Sequence, residues 1–241
     1  MIFNIKMDTV QALRGKLDPD YVFQNIKFQH QFRKEHPDYF QPDGLIVFTG
    51  LQGTGKTLSA VQYVTKLLDE YPKARLVSNV DVIGYEDRTV PFDGVSRFKT
   101  EKNGEYGIIF LIDEIQLLFN SLESKGMDVN LFETICQQRK QRVHIVGTTQ
   151  VFGRLAKGFR EQFKFVVECK QVFKWLQFNR YAKGVDCIAG EDGHFEVTKS
   201  HLVFWFVHPN MYSLYDTTAV IDRSAFNFKW DFNESSSDWG F

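Results

Sequence analysis

The sequence has 241 residues, 43% of them hydrophobic and 24% charged, with a formal net charge of -1. That is apolar material enough for one α/β domain with short extensions, and the even charge gives by itself no hint of nucleic acid. Three widely spaced cysteines (Cys136, Cys169, Cys187) exclude a disulfide framework and argue against structural zinc; the longest apolar runs are strand-sized and exclude a membrane span.

Residues 1–43 read as an N-terminal arm rich in charge and aromatics (His30, Phe32, His36, Tyr39, Phe40), either a solvated helical arm or a docking arm. Met1 to Leu13 carries Lys6 and Asp8 and lacks a long apolar run, so no signal peptide is expected. Leu45-Ile46-Val47-Phe48 is a continuous apolar run of the kind found in strands buried on both faces. From Thr57 to Tyr71, apolar residues at Ala60, Val61, Val64, Leu67 and Leu68 follow helical spacing, and Pro72 closes the helix. Arg75–Asn79, Ile108–Ile112 and Val143–Val146 read as further strands, with a helix between the last two carrying Val129, Leu131, Phe132, Ile135 and Cys136. Strands alternating with helices predict an α/β fold: a mostly parallel sheet flanked by helices. Beyond Phe163 the pattern turns β-rich: Phe163–Cys169, part of Val172–Tyr181, Phe195–Val197 and Leu202–Val207. The expected organisation is an arm (1–43), a domain (44–221) and a C-terminal tail (222–241), the tail either disordered or a peptide that docks on a neighbour.

The strongest chemical signal is Gly50-Leu51-Gln52-Gly53-Thr54-Gly55-Lys56-Thr57, a complete phosphate-binding loop between an apolar strand and a helix. Its glycines let successive N–H groups turn inward on the phosphates of ATP, and the helix N-terminus adds partial positive charge. Lys56 would reach the β and γ phosphates, and the Thr57 hydroxyl would bind Mg2+. Ile108–Ile112 ends in Asp113-Glu114, placing two carboxylates at the edge of the sheet where ligands bind. Asp113 would hold Mg2+ and Glu114 would act as general base toward the attacking water. Neither a GTPase Asp-x-x-Gly nor a guanine-reading Asn-Lys-x-Asp stands at a suitable place, and nucleotide kinases need no water-activating Glu.

Val143–Val146 runs into Gly147-Thr148-Thr149-Gln150, where Gln150 is the first candidate to sense the γ-phosphate and Thr149 the second; a plain turn with a helix cap is the alternative. The strand carrying them is expected to lie between the first and third strands. From Gln137 to Gly184, eleven Lys and Arg stand against two acids, a local charge of +9 that leaves -10 elsewhere. The stretch is either a solvated basic face or a nucleic-acid path that includes an arginine acting on a neighbour's site. Arg139, Arg154 and Arg160 are the candidates for that trans-acting finger.

With those residues placed, the sequence resembles the Zot-like branch (zonula occludens toxin type) of the HerA/FtsK superfamily of P-loop ATPases, from about Gly44 to Ile221. The resemblance rests on the phosphate loop, Leu76–Val80, Ile112-Asp113-Glu114-Ile115-Gln116, Arg139 through Gln150, and Tyr212–Ile221 around Leu214-Tyr215-Asp216-Thr217. It implies a RecA-like sheet and a homo-oligomeric ring, hexamer or pentamer, with ATP sites at subunit interfaces. It further implies DNA as substrate, double-stranded in the packaging case. No transmembrane helix follows the ATPase segment, which favours packaging of a viral genome, with capsid or portal-vertex partners, over extrusion through a membrane. The expected location is the host cytoplasm, with virion association as a corollary. Extrusion or element transfer stays open. So does a protein-remodelling ATPase without nucleic-acid contact, and a small-molecule kinase is a third class.

Overall fold

A computed structural model of the chain describes residues 19–118, 142–155, 157–189 and 195–215. Residues through Tyr39 and residues from Phe40 onward form two compact units. In the first, helix α1 (Pro19–Glu35) is followed by a turn that brings Phe32 against His36 and Tyr39, at ring-centroid distances of 4.7 and 5.0 Å.

The second unit is built on an eight-stranded sheet. In chain order it comprises β1 (Gly44–Thr49), β2 (Arg75–Ser78), β3 (Thr89–Pro91), β4 (Ile108–Ile112), β5 (Val143–Thr149), β6 (Phe163–Val172), β7 (Leu176–Lys183) and β10 (Ser200–Phe206). A separate two-stranded ribbon pairs β8 (Cys187–Ala189) with β9 (Phe195–Val197). The spatial order is β10-β7-β6-β1-β5-β4-β2-β3. Pairings from β6 through to β3 are all parallel, and β7 runs antiparallel to both β6 and β10. β5 lies between β1 and β4, the neighbourhood expected for the strand ahead of Gln150.

Strands β1, β4 and β5 are buried almost throughout, which explains their unbroken apolar runs. One face of the sheet packs Val47, Phe110, Ile112 and Ile145 against Phe152, Leu155 and Phe159. The opposite face packs Ile46, Phe48, Ile109, Leu111 and Val146 against α2 (Lys56–Glu70), whose Ala60, Val61, Val64, Leu67 and Leu68 form the inward stripe. On the first face, α3 (Arg97–Thr100) contributes Phe98, Phe152 lies in a short turn after β5, and Phe159 sits in α4 (Lys157–Arg160). Each such side chain withdrawn from water stabilises the fold by roughly 1.5–3 kcal/mol before entropy is counted. Two features differ from the sequence reading. β5 continues through Thr149 rather than stopping at Val146, and β3 and β8 are three-residue strands too short to leave a periodic signal. The helix expected over Val129–Cys136 lies outside the described residues, as does the tail.

Candidate nucleotide site at the strand tips

β1 delivers the chain into the phosphate loop at Gly50, whose φ of +147° belongs to the glycine-favoured region. A Cβ there would stand 2.7 Å from Thr54 Oγ1 and 2.8 Å from the Cys169 carbonyl oxygen. At Gly55, φ is +79° and a Cβ would collide with Gln177 Oε1. Both positions therefore require glycine on conformational and steric grounds. Thr54 Oγ1 donates to the Leu51 carbonyl at 2.7 Å and closes the loop on itself. Gln177, fully buried on β7, donates through Nε2 to the Thr54 carbonyl at 3.0 Å and fastens the loop from behind.

α2 begins at Lys56 with no side-chain cap and no acid in its first turn, so its first N–H groups are free to face an anion. The Lys56 side chain is 8% exposed, and its ammonium donates to the Leu51 carbonyl oxygen at 3.1 Å. Among the described residues it forms no ion pair. A buried cation satisfied by one carbonyl, beside an uncapped helix N-terminus, suits a phosphate group.

Two carboxylates follow β4, and their surroundings differ. Asp113 Oδ1 accepts from Thr57 Oγ1 at 2.9 Å and from Thr148 Oγ1 at 2.5 Å. Its backbone is clamped by the Asn79 amide: Asn79 Nδ2 donates to the Asp113 carbonyl at 3.1 Å, and the Asp113 N–H donates to Asn79 Oδ1 at 2.8 Å. Burial raises the Asp113 carboxyl above the ordinary range and the adjacent Glu114 adds to this, while the Thr148 and Thr57 hydroxyls and Lys56 act in the opposite sense. An anionic Asp113 beside the Thr57 hydroxyl is an all-oxygen donor set that fits Mg2+, whose charge would offset that burial.

Glu114 adopts φ of +55°, unusual for a residue with a side chain and costing on the order of 1 kcal/mol. Its N–H donates to Thr148 Oγ1 at 3.0 Å, and the next N–H, of Ile115, donates to the Thr148 carbonyl at 2.9 Å. The left-handed turn aims the carboxylate at Gln150, whose Nε2 donates to Oε1 at 3.2 Å; Gln116 Nε2 donates to Oε2.

Gln52, Gly53, Gly55, Lys56, Thr57, Asp113, Glu114 and Gln150 thus line one cavity of about 520 Å³, joined by Asn79, Gln171, Tyr212 and Tyr215. Gly50, Leu51 and Thr54 face a neighbouring cavity on the other side of the loop. Thr149 turns away, its hydroxyl directed at the Val151 carbonyl at 3.4 Å. Arg139 lies outside the described residues. Arg154 ends the turn after β5, and Arg160 ends α4 without lining the nucleotide cavity. Sequence reasoning missed Thr148, Asn79 and Gln177. Thr148 is the hub of the site, and only the strand's period of two, with residue 148 opposite in direction to 149, could have singled it out.

No family model matches this sequence, and no curated protein matches it. The folded chain is similar to the N-terminal domain of zonular occludens toxin from Neisseria meningitidis, with a TM-score of 0.52 at 14% identity, over 73% of this chain and 100% of that one. It is also similar to the genome packaging NTPase B204 from Sulfolobus turreted icosahedral virus 2 in complex with sulfate (TM-score 0.46, 11% identity, 66% of this chain and 97% of that one). A third similar structure is the flagellar accessory protein FlaH from Methanocaldococcus jannaschii (TM-score 0.41, 12% identity, 66% and 84%). No described helix is long and apolar enough to cross a membrane. By strand order, loop geometry and its likeness to the zonular occludens toxin domain, the chain has a Zot-like, RecA-like P-loop NTPase fold, extended by the antiparallel strands β7 and β10.

Proposed function

We propose that this protein binds ATP with Mg2+ at the strand tips, hydrolyses it, and uses the cycle in an oligomeric ring to move DNA, the packaging of a viral genome being the leading case. The observation that carries the hydrolytic reading is the pairing of Glu114 with Gln150 and Gln116 one residue beyond the half-buried Asp113. A carboxylate oriented by two amides retains lone pairs to take a proton from water, and general-base catalysis of this kind contributes roughly 10²–10⁴-fold. Lys56 and the α2 N-terminus would hold the phosphates, while Thr57 and Asp113 would hold the metal. The bound Mg2+ would supply charge neutralisation on the phosphate oxygens. Tyr212 and Tyr215, which also line the cavity, would receive the nucleoside.

The DNA reading draws support from the basic stretch and from the motif resemblance. Within that stretch Lys164 pairs with Asp43, and Arg180 pairs with Glu168 at 2.5 Å, so these two charges are used internally. Lys157, Lys170, Lys174 and Lys183 are exposed and remain available for phosphate contacts. The test is phosphate release from MgATP with and without double-stranded and single-stranded DNA. Stimulation by duplex DNA, falling as salt is raised, is expected. Hydrolysis indifferent to both forms of DNA would favour a protein-remodelling ATPase, and a phosphorylated small molecule in place of free phosphate would point to a kinase.

A further inference from the structure

The cavity wall that carries Tyr212 and Tyr215 also carries Gln171, near the end of β6, a side chain with no part in hydrolysis. Tyr212 sits in a short 3-10 helix (Pro209–Ser213) that begins at a proline and is capped by His208, whose Nδ1 accepts from the Asn210 N–H at 3.3 Å. Tyr212 is 40% exposed, so part of its ring is open to a ligand in the cavity. Its hydroxyl makes two hydrogen bonds, both to the β6–β7 hairpin: one with the Lys174 carbonyl oxygen at 2.7 Å and one with Gln171 Nε2 at 3.0 Å.

The protons in this pair of bonds can be placed. A carbonyl oxygen only accepts, so the Tyr212 hydroxyl proton goes to Lys174. The Tyr212 oxygen is then left as an acceptor, and only the NH2 end of the Gln171 amide can donate to it. The other end of the amide, Oε1, is thereby turned away from Tyr212. Among the described residues neither Oε1 nor the second N–H of Gln171 has a partner, so the amide offers an acceptor and a donor in a fixed order. Asn79 and Gln150, which share the cavity, are engaged with Asp113 and Glu114 instead.

That order fits one kind of purine. Adenine carries a 6-amino donor with a ring-nitrogen acceptor on either side of it, so both of its edges can pair with an acceptor and a donor standing together. Guanine and hypoxanthine carry a 6-oxo group in the same place, and an oxygen facing Oε1 is repelled. Stacking on the Tyr212 ring does not distinguish among them, because every base has a π-face. We infer that Gln171 is the residue that selects the base, preferring a 6-amino to a 6-oxo purine, and that Tyr212 is a positioning residue that sets its amide. This rests on the nucleotide-binding part of the proposed function and adds the discrimination to it.

The test is calorimetric titration of the full chain with ATP, GTP and inosine triphosphate in the presence of Mg2+, the last carrying a 6-oxo group where ATP has the 6-amino. Binding is read without turnover, so the outcome is independent of whether Glu114 acts as the base. The wild-type protein should bind ATP about tenfold more tightly than either 6-oxo nucleotide. Tyr212→Phe keeps the ring but frees the amide to turn, so affinity for the 6-oxo nucleotides should rise and the preference fall toward unity. A merely structural role for Tyr212 would weaken binding of all three by the same factor, and that result would overturn the inference. Gln171→Ala, which leaves the bond from Tyr212 to Lys174 in place, should lower ATP affinity and erase the preference. Equal binding of the three nucleotides by the wild type would overturn the inference and leave the phosphate site standing. Binding of none would overturn both.

Discussion

At the scale of single residues, the site divides its labour between two neighbouring carboxylates. Asp113 is half-buried, takes two threonine hydroxyls and is suited to a cation; Glu114 is swung by its left-handed backbone toward Gln150. This division makes two substitutions separable. Lys56→Ala removes the side-chain cation of the loop, and nucleotide binding in a calorimetric titration should be lost; unchanged ATP affinity would refute the site. Glu114→Gln keeps the shape and one of the two acceptor oxygens but cannot take a proton. Binding should survive while kcat falls on the order of 10²-fold or more. Wild-type turnover in that variant would place the base elsewhere.

At the scale of elements, the central strands were readable from hydropathy alone, because a strand buried on both faces must be apolar throughout. The same uniformity hid Thr148: every residue of β5 is buried, so hydropathy does not say which threonine faces the nucleotide. Gln177 was hidden for a related reason, since its partner, the Thr54 carbonyl, is 123 residues away in sequence. Glycines of the loop, by contrast, advertise backbone geometry directly. His144 shows how the elements are tied behind the site. Its Nδ1 lies 3.1 Å from the Gly44 carbonyl and must carry the proton, so Nε2 accepts from the Tyr63 hydroxyl at 3.0 Å; one ring joins β5, β1 and α2. Burial pushes the imidazole down to about 4. In the unfolded chain it titrates near 6.5, so protons bind the unfolded state preferentially as pH falls below that value. The stabilising effect is complete above pH 6.5 or so and is lost progressively toward pH 4. Between pH 6.5 and 5 the loss should be roughly 2 kcal/mol. Urea midpoints across that range will check it; a His144→Gln variant with the same slope would show that another group is responsible.

At the scale of the whole molecule, the proposed ring makes each active site depend on a neighbour. Of the three finger candidates, Arg154 and Arg160 follow β5 within one short turn and one short helix, while Arg139 lies outside the described residues. Activity should rise more than linearly with protein concentration. Mixing Glu114→Gln subunits with subunits in which the finger is replaced by Ala should restore part of the hydrolysis that each lacks alone, because some interfaces then pair an intact Glu114 with an intact Arg. The finger should contribute about 10³-fold or more. If every Arg variant keeps wild-type turnover at all concentrations, no finger acts in trans and the basic stretch is a solvated or DNA-facing surface.

The most direct measurement of the central claim, that ATP hydrolysis at Glu114 drives movement on DNA, is displacement of a third strand from a triplex placed along a duplex. Wild-type protein with MgATP should displace that strand at a rate that follows ATP turnover, and Glu114→Gln should bind ATP yet displace nothing. A protein that hydrolyses ATP steadily and leaves the triplex intact, on duplex DNA it demonstrably binds, would contradict the account.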